Sequence, residues 1–304
     1  MLIDQHTKVY GIIGYPLVHS FSPAMHNAAF QANGINAAYL AFPMKNPLNI
    51  KFLMKQLSIE GLSVTIPHKI RVRRSVEQID PLALQIGSIN TLLWNKAGLL
   101  TGYNTDGPGA IQAIEESGFS IDGKKVLIIG SGGSARAIAF SLLDKNPESI
   151  AIYARNVAAM RTLVRSLKVP RVRPKIVSLI PKRPQSRKIR IQYKHESILE
   201  TPEQAHEYDL IIQATPMGMH GHIEEQSTPL EKEYLHSHQV LFDIVYNPEI
   251  TPLVKMAKQK KMGIIPGYKM LLYQGVRQFG LFFDEKAPVE IMEKTLIQEL
   301  KKSR

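Results

Sequence analysis

The chain contains no cysteine. That excludes disulfide staples, thiolate zinc ligands and a cysteine nucleophile, and it fits a cytoplasmic protein. It also lacks any apolar run near the ~20 residues that a membrane-crossing helix needs, so no membrane partner is expected. The opening residues, MLIDQHTKVYGIIG, have neither the basic start nor the long apolar stretch and cleavage site of a secretory leader. The 10 histidines show no HxxxH or comparable spacing, so no metal site is expected. Between Ser149 and His195 there is no acidic residue at all.

What is present points to a folded chain. Its 304 residues, 44% of them hydrophobic, are enough for two domains. The formal net charge is +12, yet Arg165 to Lys194 alone holds 11 Lys and Arg and no acid. The basicity is therefore local. That segment has one aromatic, Tyr193, and four prolines, at 170, 174, 181 and 184. It lacks the interleaved aromatics of a base-stacking surface, so no specific nucleic-acid partner is expected. Its stretches VRPKIVSLI and RKIRIQY alternate enough for basic strands at a sheet edge. The competing reading is long-range attraction for anionic ligands.

Strand and helix patterns alternate along the chain, the mark of an α/β protein. KVYGIIG, AAYLAF and LSVTIP read as strands, with helices opening at Ser22-Pro23 and Asn46-Pro47. Ser22 is the expected cap of the first. INTLLWN and GLLTGYN form a hairpin around Lys96 to Gly98. A helix with Ile111 and Ile114 leads into a second unit, where KKVLIIG, SIAIYAR, DLIIQAT and VLFDIVY repeat the strand theme. The end, from Gly267, is helical.

The loop Gly130-Ser131-Gly132-Gly133-Ser134-Ala135 follows an apolar strand and opens a helix. Gly130 permits the tight turn, Gly132 lets a pyrophosphate approach the backbone, and Ala135 allows close helix–strand packing. The free N–H groups of the helix end then face phosphate. The plain alternative is an ordinary strand–helix turn. NAD-binding units usually end their second strand with an acid for the ribose diol. Here that strand ends at Ala154-Arg155-Asn156, and a guanidinium suits a 2′-phosphate. NADP is the expected cofactor; a solvated surface arginine is the alternative.

Lys69 follows a strand end and Asp106 sits where a strand meets a helix. On spacing alone a catalytic Lys–Asp pair competes with a solvated lysine and a helix-capping aspartate. Ser20 and Ser22, hydroxyls at i and i+2 beside a helix start, suit a carboxylate. His19 and His68 lie nearby and read as structural or exposed.

Taken in order, G-Y-P-L-x-H-S-x-S-P, V-T-I-P-H-K, I-N-T, N-T-D-G, G-S-G-G-S-A, Q-A-T-P-M-G-M and G-Y-K-M-L-L-Y-Q-G resemble the shikimate dehydrogenase family, from about Val9 to Phe283. The resemblance implies a catalytic Lys69 and Asp106. It implies substrate contacts from Ser20, Ser22, Thr65, Asn90, Thr105, Tyr246 and Gln274. On the cofactor side it implies the glycine loop, Arg155, Thr215, Met217, Gly267 and Met270. It further implies an N-terminal α/β substrate domain, 1–107 completed by 266–304, and a Rossmann-like NADP-binding domain, 108–265, with the active site in the cleft between them. The implied reaction is the reversible NADPH-dependent reduction of 3-dehydroshikimate to shikimate, on the path to chorismate and aromatic amino acids. A quinate/shikimate dehydrogenase that also uses NAD is the alternative. The implied state is a cytoplasmic monomer or homodimer whose partners are small molecules. Three departures stand out: His68 where the family often has Phe, Ala154-Arg155-Asn156 with its next basic residue only at Arg161, and a basic stretch (171–194) longer than usual.

Overall fold

The computed structural model describes residues 3–17, 20–167 and 206–302, and the backbone of the strand 175–179. Most of the basic segment, including RKIRIQY, and His19 lie outside the described residues. The chain divides into two compact units: Met1–Ala110 together with Lys269–Arg304, and Ile111–Tyr268.

The first stretch carries β1 (Lys8–Gly14), α1 (Ser22–Ala32), β2 (Ala37–Pro43), α2 (Ile50–Gln56), β3 (Ile59–Val64), β4 (Gln78–Ile79), α3 (Pro81–Ile86), β5 (Thr91–Trp94), β6 (Leu100–Tyr103) and α4 (Asp106–Glu116). The second unit carries β7 (Lys125–Ile129), α5 (Gly133–Leu143), β8 (Ser149–Tyr153), α6 (Val157–Leu167), β9 (Lys175–Leu179), β10 (Leu210–Gln213), β11 (Val240–Asp243), α7 (Pro252–Gln259) and β12 (Gly263–Ile265). Two long helices follow, α8 (Tyr268–Phe283) and α9 (Val289–Lys302).

The first sheet runs β2-β1-β3-β5-β6-β4. β1 is parallel to β2 and β3, β5 is antiparallel to both β3 and β6, and β4 is parallel to β6. This mixed pairing has a consequence for function. The C-terminal ends of β1, β3 and β6 and the N-terminal end of β5 all lie at one edge. Val64 N–H donates to the Asn90 carbonyl at 2.7 Å, and Asn90 N–H donates to the Tyr103 carbonyl at 3.0 Å. One core lies among Ile13, Ile50, Met54, Leu62, Ile89 and Leu92. On the C-terminal helices, Phe279 packs 6.2 Å from Phe30, and a Cβ on Gly275 would strike Met25. Those helices therefore belong to the core of the first unit, although they are the last part of the chain.

Local chemistry departs from expectation at two helix starts. α1 begins at Ser22 itself, and the capping position falls on Phe21 with no side-chain bond. The Ser22 N–H instead faces Ser20 Oγ at 3.4 Å. α2 begins at Ile50 rather than at Asn46-Pro47. There Asn46 Oδ1 accepts from Leu48 N–H at 3.2 Å and forms a turn ahead of the helix. Asn side chains compete with helical bonding in this way.

The second sheet is wholly parallel, in the order β12-β11-β10-β7-β8-β9. Read from β9, this is the 3-2-1-4-5-6 winding of dinucleotide-binding folds. Its central strands are apolar on both faces, as a sheet covered on both sides demands. Leu127, Ile129, Ile211 and Leu241 are buried in one cluster. The strand expected within VRPKIVSLI is present as β9, at the sheet edge. Sequence reading missed β12, whose three residues are too short to show a pattern.

Candidate functional site

In the first unit the residues expected to act on substrate gather at the shared sheet edge. The Ile89 N–H donates to the Lys69 carbonyl at 2.8 Å, which ties the turn after β3 to the segment entering β5. The Lys69 ammonium then lies 2.6 Å from Asp106 Oδ2. The side chains are 15% and 5% exposed, so the pair is nearly buried but open on the lysine side. Asp106 is the first residue of α4, where the helix dipole favours an anion. It is not the cap: Asn104 Oδ1 accepts from the Asp106 N–H at 3.1 Å, and Asn104 Nδ2 donates to the Ser88 carbonyl at 2.9 Å. The Asp106 carboxylate is thereby left free for side-chain partners.

Asn90 supplies the second partner. Its Nδ2 donates to Asp106 Oδ1 at 2.9 Å and to Thr105 Oγ1 at 2.8 Å, with Gln274 Oε1 at 3.4 Å. Its Oδ1 accepts from Thr105 N–H and Thr91 Oγ1, both at 2.8 Å. A backbone N–H can only donate, so the amide orientation is fixed and Nδ2 must face the carboxylate. Lys69, Asp106, Asn90, Thr105 and Gln274 form one bonded cluster. Thr65 directly follows β3, while Ser20 lies in the segment after β1 and Ser22 opens α1, with Ser22 buried. His68 is buried, with Nε2 at 2.5 Å from the Met44 carbonyl.

Sequence reasoning missed what lies behind Asn90. Gln278, one turn beyond Gln274 on α8, donates through Nε2 to the Asn90 carbonyl at 3.1 Å and to Thr91 Oγ1 at 2.8 Å. Its Oε1 accepts from Ser63 Oγ at 2.8 Å, and Ser63 accepts from the Tyr39 hydroxyl at 2.5 Å. A polar chain therefore runs from Tyr39 through the core to Asp106. Burial pushes the Tyr39 hydroxyl well above its ordinary pKa, so it stays a donor. The available signal was two glutamines four apart on a mostly apolar helix, which share a face.

In the second unit the glycine loop lies at the switch point between β7 and β10. Gly130 has φ +123, and a Cβ there would fall 2.8 Å from the Ala214 carbonyl oxygen. Only glycine suits that turn. At Gly132 a Cβ would meet nothing within 4 Å. This residue caps α5, and being glycine it places no side chain over the start of the helix. A glycine loop opening a helix at a switch point, with room beside Gly132, fits a pyrophosphate. Ala135 is buried under the helix. Across the switch point, fully buried Gln213 holds the loop after β10. Its Oε1 accepts from Thr215 N–H at 2.7 Å, and its Nε2 donates to the Met217 carbonyl at 3.1 Å.

Arg155 follows β8, the second strand of the unit, after which dinucleotide-binding folds generally carry the residue that meets the ribose 2′ position. An acid does reach it, from far along the chain: Glu224 takes both guanidinium arms, with Nη2 to Oε2 at 2.9 Å. Beside Arg155 the Glu224 carboxyl is held below the usual carboxylate range, chiefly by that hydrogen bond. Further along, burial pushes the Tyr246 hydroxyl up to about 12. Burial also pushes the Asp243 carboxyl up to about 7, although it accepts from Thr251 Oγ1 at 2.7 Å and Val245 N–H at 3.1 Å. A Cβ on Gly267 would strike the Val245 carbonyl, so the backbone passes close there. Met270, in the first unit, is buried in the first turn of α8. Among the described residues no helix is long and apolar enough to cross a membrane, and no cluster of three metal-ligating side chains occurs.

A doubly wound parallel sheet with a glycine loop and helix start at its switch point defines a dinucleotide-binding α/β protein. Comparison with known proteins narrows the class. Residues 12–92 match the shikimate dehydrogenase substrate binding domain, and residues 267–297 match the shikimate 5′-dehydrogenase C-terminal domain. The chain is 39% identical to the shikimate dehydrogenase (NADP+) of Methanobrevibacter smithii, covering 98% of this chain and 99% of that one. It superposes on a shikimate dehydrogenase crystallised with NADP+ at a TM-score of 0.83, with 36% identity over 98% of both chains. It superposes on shikimate 5-dehydrogenase from Listeria monocytogenes, in complex with shikimate and NAD, at a TM-score of 0.81, with 28% identity over 97% of this chain and 98% of that one. The chain belongs to the shikimate dehydrogenase (NADP+) family.

Proposed function

We propose that the chain catalyses the reversible NADPH-dependent reduction of 3-dehydroshikimate to shikimate. The first unit holds the substrate and the second the cofactor, in a cytoplasmic monomer or homodimer. The observation that carries this reading is the Lys69–Asp106 pair, built into a cluster of neutral donors and acceptors.

When bound, NADPH supplies the hydride. As negative charge grows on the substrate oxygen, the Lys69 ammonium stabilises it and donates the proton; in the reverse direction Lys69 accepts it. Asp106 Oδ2 holds the ammonium in place, and Asn90 in turn fixes the carboxylate. The open lysine side leaves a route for the proton to be replaced from solvent. Asn90, Thr105 and Gln274 present amide and hydroxyl groups to a polyhydroxylated ring, and Ser20, Ser22, Thr65 and Tyr246 complete the set around its carboxylate and hydroxyls. A ligand lacking a matching hydroxyl would leave one of these groups unsatisfied, which is how such a site selects. In the second unit the loop 130–135 takes the pyrophosphate, Arg155 the 2′-phosphate, and Thr215, Met217, Gly267 and Met270 the nicotinamide side.

The test is the absorbance change at 340 nm with shikimate and NADP+, repeated with quinate and with NAD+. Fastest turnover on shikimate with NADP+ is expected. Comparable rates on quinate with NAD+ would favour the broader quinate/shikimate activity instead.

A further inference from the structure

Glu224 fills the guanidinium fork of Arg155 through both carboxylate oxygens. A phosphate takes the same bidentate geometry. The two partners are unequally held. The Arg155 side chain is 66% exposed, the Glu224 side chain only 24%. Glu224 is also anchored by its main chain: its carbonyl accepts from Gly218 N–H at 3.0 Å and Ser227 N–H at 3.1 Å, and its N–H donates to His222 Nδ1 at 3.1 Å. The acid is thus a fixed feature of the loop after β10, and the arginine reaches out to it.

We propose that Glu224 is a specificity-determining residue, an internal occupant of the 2′-phosphate position that competes with NADP for Arg155. This rests on the reading that Arg155 takes the 2′-phosphate. Glu224 occupies the Nη1/Nη2 edge of the guanidinium, so a phosphate that uses this edge must displace it. A phosphate brought beside the Glu224 carboxylate is repelled, so binding requires the pair to open first. The apparent affinity for 2′-phosphorylated nucleotides falls by the fraction of molecules in which the fork is free. A nucleotide with a plain ribose diol meets no such competition. Glu224 therefore narrows the discrimination between NADP and NAD without touching the reacting atoms.

The test is calorimetric titration of the full chain with adenosine 2′,5′-bisphosphate and with 5′-AMP, which differ only in the 2′-phosphate. Glu224→Gln is expected to tighten the bisphosphate about two- to fivefold, the range of an exposed ion pair, and to leave 5′-AMP unchanged. Glu224→Ala should move binding in the same direction. Glu231→Gln removes an equal charge whose field reaches Tyr153 at the end of β8, and it should not reproduce the effect. If it does, general charge is the cause and the proposal falls. Arg155→Ala should weaken the bisphosphate roughly tenfold and spare 5′-AMP. If it does so while Glu224→Gln leaves the bisphosphate unchanged or weaker, Glu224 merely supports the arginine and the proposal is overturned with the reading intact. If Arg155→Ala leaves the bisphosphate unchanged, the reading fails and the proposal with it.

Discussion

The Asn90 amide donates to Asp106 Oδ1 at 2.9 Å, while the opposite carboxylate oxygen faces Lys69. Both oxygens of the aspartate are thus committed to donors. Replacing Asp106 by Asn puts an N–H₂ group against one of them whichever way the amide turns. Asp106→Asn is expected to lower turnover and raise the Michaelis constant together. Wild-type values of both in steady-state kinetics would reduce Asp106 to a helix-start residue.

Lys69→Ala removes the proposed proton donor, and the fold is expected to survive. A positioned acid–base group contributes about 10²- to 10⁴-fold, so turnover should fall by that order while cofactor binding, followed by fluorescence titration, is unchanged. Turnover within a few-fold of wild type would remove Lys69 from the chemistry.

Gln278→Leu strips three hydrogen bonds from a buried site and leaves the Ser63 and Thr91 hydroxyls short of a partner. At roughly 1–3 kcal/mol for each group orphaned, the loss should be about 2–6 kcal/mol in denaturant unfolding. Turnover should fall as well, because Asn90 loses its support. A variant as stable as wild type would show that the chain from Tyr39 carries no energetic weight.

The two loop glycines should separate cleanly. Gly130→Ala forces a Cβ onto the Ala214 carbonyl at a positive φ and should lower the melting temperature. Gly132→Ala points into open space, so the fold should survive while NADP+ binding weakens. Equal melting points with equal NADP+ affinities would argue that the loop is an ordinary turn.

Asp243 gives the second unit a pH dependence of definite sign. Burial raises its folded pKa from 3.8 to about 7, so between those values the folded chain binds more protons than the unfolded one. Its contribution is fully present below about pH 4 and is lost as pH rises through 7. The span is on the order of 4 kcal/mol. Subtracting the unfolding profile of Asp243→Asn from that of wild type should isolate this slope. A flat difference between pH 4 and 8 would show that Asp243 is ionised in the fold.

Much of the fold was legible because burial on both faces leaves apolar runs such as KVLII and LIIQ. The glycine loop was legible because its chemistry is local. The site was readable only as motifs: nothing in the spacing of Lys69 and Asp106 told that the β5–β6 hairpin would bring them within 2.6 Å. The Ser22 cap was misread because Phe21 already holds helical dihedrals, so the serine entered the helix. Glu224 was invisible at Arg155 because a pair 69 residues apart carries no periodic signal. Gln278 was hidden for a subtler reason. Its polarity looked like noise on an apolar helix until its partners, all on other elements, were known.

The first unit is assembled from two separate segments, 1–110 and 269–304, with the second unit inserted between them. During synthesis, the residues up to Ala110 emerge long before the helix that carries Gln274 and Gln278. The inserted unit is contiguous in sequence, so its own contacts do not depend on residues 269–304. The cluster around Asn90 must wait. A nascent chain halted before Lys269 would hold Lys69, Asp106 and Asn90 without the glutamines behind them. The cluster around Asn90 is therefore completed only by residues 269–304, about an eighth of the 304.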